Sequence, residues 1–189
     1  MVQALFGIPG PLATSPFTPT TLPKIKGSRP SFEASVSFKP SNQITTYATI
    51  STGYRAPYQN ANVGYVSQVN PNDIAIPAGA TSDKLTNYEV GAKGRFFNGP
   101  LNAAVSLYYI TWNNIEVNAN RVSDQIQFAT NIGGARSRGI EFDLASNPNK
   151  LFSFGANGSY GGTEITKLTA EQASISGAVK GDRLSASKF

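Results

Sequence analysis

The stretch from Asn87 to Tyr109 constrains this chain more than any other, because it alternates with a period of two on both sides of a turn. The first arm reads NYEVGAKGRFF, the turn is Asn98-Gly99-Pro100, and the second arm reads LNAAVSLYY. Successive side chains on a strand point to opposite faces. Tyr88, Val90, Ala92, Gly94 and Phe96 therefore share one face of the first arm, and Glu89, Gly91, Lys93 and Arg95 share the other. On the second arm Leu101, Ala103, Val105, Leu107 and Tyr109 alternate with Asn102, Ala104, Ser106 and Tyr108. Each arm has about 9–11 residues, the length a tilted strand needs to cross a bilayer. Phe96 sits beside the turn and Tyr88 and Tyr109 at the far end, so aromatic residues flank the apolar faces. The pattern predicts a membrane β-hairpin with one dry face and one wet one.

The rest of the chain is compatible with that reading. Charged residues make up 14% and apolar ones 40%, yet no run reaches the ~18 consecutive apolar residues of a membrane helix. Glycine (18) and proline (12) punctuate many short extended segments, as in all-β chains. The net charge of +5 is spread thinly, without a basic run or an aromatic–basic motif, so nucleic acid is not an expected partner. Cysteine and histidine are both absent, which removes a disulfide scaffold and the usual zinc and iron ligands. No metal or cofactor is expected.

The first 27 residues carry no basic residue before Lys24, and Pro9, Pro11 and Pro16 interrupt a weak apolar stretch, so they do not read as a signal peptide. Residues 1–30 read as a loop or linker and 31–189 as the folded part. A membrane-barrel segment without an export signal suggests a piece of a longer protein.

Six strands are expected. The first runs from Ser31 to Phe38 and the second from Gln43 to about Tyr54, joined by the tight turn Lys39-Pro40-Ser41-Asn42. A polar excursion from Arg55 to about Asp83 follows, then the hairpin over about Lys84 to Ile115. Glu116 to about Gln127 reads as a second excursion. The fifth strand runs from about Phe128 to Ala145, with Ile140, Phe142 and Leu144 opposite Gly139, Glu141 and Asp143. After the turn Ser146–Lys150, the sixth covers Leu151 to Tyr160. Gly161 to Gly181 reads as loop, and Asp182 to Phe189 as the start of a seventh strand.

Short and long connections alternate, as in up-and-down outer-membrane barrels with short periplasmic turns and longer extracellular loops. A soluble or surface-attached β-sandwich, binding a partner through its loops, would also alternate apolar and polar residues. Sandwich strands average only about 5–6 residues, however, and nothing in a sandwich enforces the loop alternation.

No enzyme signature emerges. Glu141 and Asp143 share one strand face, roughly 7 Å apart at Cα, a spacing that could suit a glycosidase pair. They read instead as the lining of a hydrated lumen, with Arg136 or Arg138 nearby. Gly155, Gly158 and Gly161 mimic a dinucleotide fingerprint but have no helix pattern after them.

Four stretches resemble the C-terminal barrel region of TonB-dependent outer-membrane receptors. YATISTGYRAP (Tyr47–Pro57) is similar to a family segment that leads into an extracellular loop. Leu85–Val117 resembles the family's "YE-hydrophobic-G-x-K" hairpin, and Ala129–Leu144 its "N-x-G-x-A-x-x-x-G-[VI]-E" strand. Gly181-Asp182-Arg183-Leu184 is similar to a loop motif before a later strand. The resemblance spans Ser31 to Leu184 and implies an antiparallel transmembrane β-barrel segment, an incomplete barrel. Family members also carry a signal, a TonB-binding box, a plug domain and a barrel of about 22 strands. The resemblance implies outer-membrane localisation, with membrane lipid, TonB and the plug as partners of the full-length receptor. The cargo it implies is a small scarce nutrient: an iron–siderophore, vitamin or glycan. Glu89, Lys93, Arg95, Glu141 and Asp143 would then face the lumen, in structural or plug contact. Tyr58, Tyr65 and Arg121 are the loop residues the resemblance points to as ligand contacts.

Overall fold

In the computed structural model, residues 25–27, 29–170, 172–173 and 177–183 are described. Six antiparallel strands form one sheet in the order β1 (Glu33–Phe38), β2 (Ile44–Gly53), β5 (Lys84–Phe96), β6 (Leu101–Asn120), β7 (Gln127–Asn149) and β8 (Phe152–Lys167). Between β2 and β5 the chain makes a small separate hairpin, β3 (Tyr58–Gln59) with β4 (Gly79–Ala80). Each long strand pairs with its predecessor in the sheet, the connectivity of an up-and-down wall. The sandwich reading is overturned: among the described residues the second sheet is the two-residue β3–β4 hairpin, which meets β7 at the loop end and leaves the faces of the six-stranded sheet uncovered.

The register sorts side chains as the alternation demands. One row across the sheet reads Val36, Ala48, Val90, Leu107, Ile140, Tyr160. The neighbouring row on the opposite face reads Ser37, Tyr47, Gly91, Ser106, Glu141, Ser159. In the first row Val36 is 68% exposed, Val90 51% and Leu107 52%, so the apolar face has no protein layer over it. A sheet with a continuous uncovered apolar face is stable only against an apolar medium or another layer. No helix among the described residues is long and apolar enough to cross a membrane, which leaves crossing by strands untouched.

The three short turns lie at one end and use local hydrogen-bond chemistry. Ser41 Oγ accepts from the amides of Gln43 and Ile44, and Asn149 Oδ1 accepts from those of Leu151 and Phe152. The β5–β6 turn places Phe97, Asn98 and Gly99 at φ of 56°, 61° and 114°. Asn and Gly tolerate that left-handed region, which is why this turn sits here.

At the other end the structure corrects the expected boundaries. Half of Glu116–Gln127 is strand: β6 runs to Asn120, β7 starts at Gln127, and residues 121–126 form the loop. Likewise β8 continues to Lys167, through residues expected as loop. The excursion from Arg55 to Asp83 contains the β3–β4 hairpin. The β8 extension, GGTEITK, lacks apolar alternation, and the β6 extension alternates only Val117 and Ala119 with Glu116, Asn118 and Asn120, too few apolar residues to mark a strand. Local packing holds them instead. Ile115, Ile132 and Ala135 are buried together with Trp112, Val117 and Leu168 against them. Ile76, Ala119 and Phe128 form a second cluster, with Tyr65, Ile74 and Ile126. The enclosed cores of the molecule thus lie at its loop end and not between the faces of the sheet. Beyond β8, Ile165 donates its amide to Asp182, and Glu164 pairs with Arg183 in antiparallel register. The remainder of the expected seventh strand, and residues 1–24 of the expected linker, lie outside the described residues.

Candidate functional site

Two regions carry polar chemistry: the wet face of the sheet and the platform built by the long loops. The register places Glu89, Lys93, Arg95, Glu141 and Asp143 all on the wet face. Tyr47 donates its hydroxyl to Glu89 Oε1 at 2.6 Å. Tyr47, Glu89, Ser106, Glu141 and Asp143 border one shallow concavity. Lys93 lies a row nearer the short turns, opposite Thr45 and Ala104, and Arg95 a row further still, opposite Asn102.

Glycines on this face make room for tyrosine rings. A Cβ at Gly91 would stand 2.6 Å from the Tyr47 ring, and one at Gly139 or Gly161 would stand 2.6 Å from the Tyr108 hydroxyl. Each ring lies flat over the glycine of an adjacent strand, and so lines the wall instead of projecting from it.

The loop platform is anchored by asparagines and arginines. Asn60 is 5% exposed; its amide donates to the carbonyls of Pro77 and Ala129 and its oxygen accepts from the Ala129 amide. It thereby acts as one more rung on the edge of β7. Asn131 accepts from the Thr81 amide at 2.7 Å and donates to the carbonyls of Thr81 and Asn114. Arg55 donates through its backbone and Nε to Asp83, which also accepts from the Trp112 indole at 2.8 Å. The Arg55 guanidinium lies 5.0 Å from the Trp112 ring centre. Burial opposes ionisation of Asp83, but the Arg55 side chain and amide and the Trp112 donor outweigh it and hold the carboxyl below its usual range.

The three loop residues singled out from the sequence meet different fates. Tyr58, in β3, is 56% exposed and free to meet a solute. Tyr65 packs on the Ile76–Ala119–Phe128 cluster. Arg121 is 1% exposed: it pairs with Asp124, donates to the carbonyls of Tyr65 and Ile74, and stacks 5.3 Å from the Tyr65 ring centre. That geometry makes Arg121 a clamp between two loops, and the guanidinium is turned inward. Asp124 is held below its ordinary range chiefly by Arg121, and Asp73 chiefly by its hydrogen bond with Ser123 and then by the Ile74 amide. The sequence reading missed Asn60, Asp83, Trp112 and Asn131. Two of the rim residues had a signal: Arg55 by its place in the "GYRAP" segment, and Asn131 as the leading residue of the "N-x-G-x-A" motif. Among the described residues no group of three or more carboxylates converges as a metal-ligand set.

The arrangement is that of a wall: a polar face, an uncovered apolar outer face, and tied loops above. Comparison with known proteins agrees. The profile of the family described as "TonB dependent receptor-like, beta-barrel" matches residues 13–189. The chain is 26% identical over 119 residues to the ferric-pyoverdine 358 receptor of Pseudomonas putida, covering 55% of this chain and 14% of that protein. Its fold is similar to the siderophore receptor PiuA of Acinetobacter baumannii (TM-score 0.53, 18% identity, 82% of this chain and 20% of that one). It is likewise similar to the FrpB iron transporter of Neisseria meningitidis (TM-score 0.56, 16% identity, 75% and 20%). The chain thus spans about a fifth of those solved structures and less of the curated relative. With a profile match over most of its length and the wall architecture that match requires, this chain belongs to the β-barrel family of TonB-dependent receptors.

Proposed function

We propose that this chain forms part of the wall and the cargo-facing rim of an outer-membrane receptor that imports iron–siderophore complexes. One observation carries the reading: the profile match over residues 13–189 falls on a sheet whose apolar face is uncovered and whose opposite face is polar. Its relatives include a ferric-pyoverdine receptor, a siderophore receptor and an iron transporter beside a copper transporter, and the preponderance of iron and siderophore cargo favours siderophore over vitamin or glycan.

In this reading residues 31–189 are barrel wall and 1–30 a connecting segment. In the intact receptor β1 pairs with a further strand, and β8 with the strand that begins at its bridge to Arg183, because unpaired backbone groups facing lipid cost several kcal/mol each. Glu89, Lys93, Arg95, Glu141 and Asp143 face the lumen and contact the plug domain. TonB, drawing on the proton-motive force, displaces that plug after cargo binds. Tyr58 offers a solvent-facing phenol to the cargo, while Tyr65 and Arg121 set the shape of the rim. The chain contributes no catalysis.

The test is uptake of radiolabelled ferric siderophores by cells whose only receptor of this type is the full-length protein. Energy-dependent accumulation that stops when TonB is deleted is the expected result. Equal accumulation without TonB, or uptake of none of a siderophore panel, would sink it.

A further inference from the structure

Among the described strand residues, the formal charges on the apolar face all stand at its loop end: Lys84 on β5, and a cluster on β7, β8 and the residues beyond. Rows through Val90 and Leu107, Val105 and Phe142, and Ala103 and Leu144 are free of charged side chains. At the loop end the pattern breaks. Arg138 occupies the row of Tyr88 and Tyr109. Arg136 stands two residues nearer the loops and pairs with Glu164 on β8, and Arg183 lies opposite Glu164 on its other side. Residues directly opposite in an antiparallel pair share a face, so Arg136, Glu164 and Arg183 stand side by side on the dry face.

Three guanidiniums against one carboxylate leave two positive charges without a counter-charge in the cluster. Arg138 and Arg183 are exposed, and neither makes an ion pair among the described residues. Leu107, Ile140 and Tyr160 line the same depression. Arginine on a lipid-facing strand is costly at the bilayer midplane and close to neutral near the interface. This cluster sits at the level of a tyrosine pair, Tyr88 and Tyr109, with ring centres 6.5 Å apart, as aromatic side chains stand at a membrane interface.

We propose that Arg136, Arg138 and Arg183 bind the phosphate headgroup of a lipid in the leaflet that the long loops face. Guanidinium forks match phosphate oxygens in paired hydrogen bonds, and Glu164 fixes the Arg136 fork in place. The apolar floor of Leu107, Ile140 and Tyr160 receives the start of the acyl chains. The inference rests on the chain standing in a membrane wall, and its test separates the two.

The experiment uses the intact receptor in phosphatidylcholine nanodiscs doped with phosphorylated lipid A, or with the same glycolipid after its phosphates are removed. Lipid retained after release into neutral detergent is counted by native mass spectrometry. Wild type should retain the phosphorylated form, and the Arg136→Gln/Arg138→Gln variant and Arg183→Gln should retain about tenfold less or lower still. Lys150→Gln, in the short β7–β8 turn, should match wild type, and heat-dependent gel migration confirms that each variant is folded. Equal retention of both glycolipids overturns the lipid inference while the membrane reading stands. So does displacement of the lipid by equimolar inorganic phosphate, which would mark a site for free anions. A receptor that never enters the discs overturns the membrane reading itself.

Discussion

Arg55 and Asp83 close the two ends of the long β2–β5 loop on each other: the Arg55 amide and Nε donate to the two carboxylate oxygens of Asp83 at 2.9 and 2.7 Å. The same carboxylate receives the Trp112 indole, so one buried group ties the loop to β6. Replacing it leaves three donors unmatched around a buried position, at a cost of about 1–3 kcal/mol. Asp83→Ala should therefore speed proteolytic nicking within residues 54–83 of the folded receptor while the barrel stays resistant. Arg55→Ala should act more weakly, since half of that side chain is already in solvent.

Acid should loosen the same loop. The carboxyls of Asp73, Asp83 and Asp124 lie below their ordinary value in the folded protein. For such groups the stabilisation is fully present above the unfolded value, about 3.9 for Asp, and is lost as pH falls through the lower folded value. Trp112 is the sole tryptophan of this chain. The fluorescence difference between the receptor and its Trp112→Phe variant should stay level from neutral pH to about 5 and change only below about 4. Asp83→Asn should abolish that acid step.

Gly139 and Gly162 lie in neighbouring strands, yet substitution should treat them oppositely. A Cβ at Gly139 would meet the Tyr160 carbonyl at 2.7 Å as well as the Tyr108 hydroxyl, whereas one at Gly162 meets nothing within 4 Å. Backbone cannot retreat as a side chain can, so Gly139→Ala should lose about 1–3 kcal/mol. The Gly162→Ala change should stay within about 0.5 kcal/mol. Thermal unfolding of the intact receptor in detergent, followed by gel migration, measures both.

Tyr58 and Arg121 should separate cargo contact from rim shape. Tyr58→Ala removes an exposed ring and should weaken siderophore binding, with loop proteolysis unchanged. Arg121→Ala breaks the pair with Asp124 and the bonds to the Tyr65 and Ile74 carbonyls, so it should raise loop proteolysis and weaken binding together. Arg121→Lys keeps the charge but loses the planar fork, and should fall between wild type and alanine. Titration of the ferric siderophore alongside a protease time course would show whether the two effects divide this way.

The membrane-crossing half of this fold was legible because lipid imposes a two-residue period: Val90, Leu107 and Phe142 fall on the face that alternation assigns them. Above that zone the constraint lapses. Glu116 to Asn120 reads as a polar loop, yet it is ladder, since Val117, Asn118 and Ala119 pair with Thr130, Ala129 and Phe128. The rim was illegible for a related reason. Asn60 bonds to Ala129 and Arg121 to Tyr65, partners 69 and 56 residues away, and no local spacing announces such long-range bonds. Arg121 looked available because it stands in a polar stretch, and it proved to be enclosed by that stretch.

The length of β6 and β7 has an electrostatic consequence. They contain 20 and 23 residues, about twice what a tilted strand needs to cross the bilayer. The surplus, at about 3.3 Å per residue and a tilt near 45°, lifts the rim roughly 20 Å clear of the lipid surface. At physiological ionic strength fields decay over about 8 Å, so the rim stands more than two screening lengths away. A charged solute arriving there meets the loops' own charges, with the membrane's surface potential screened away.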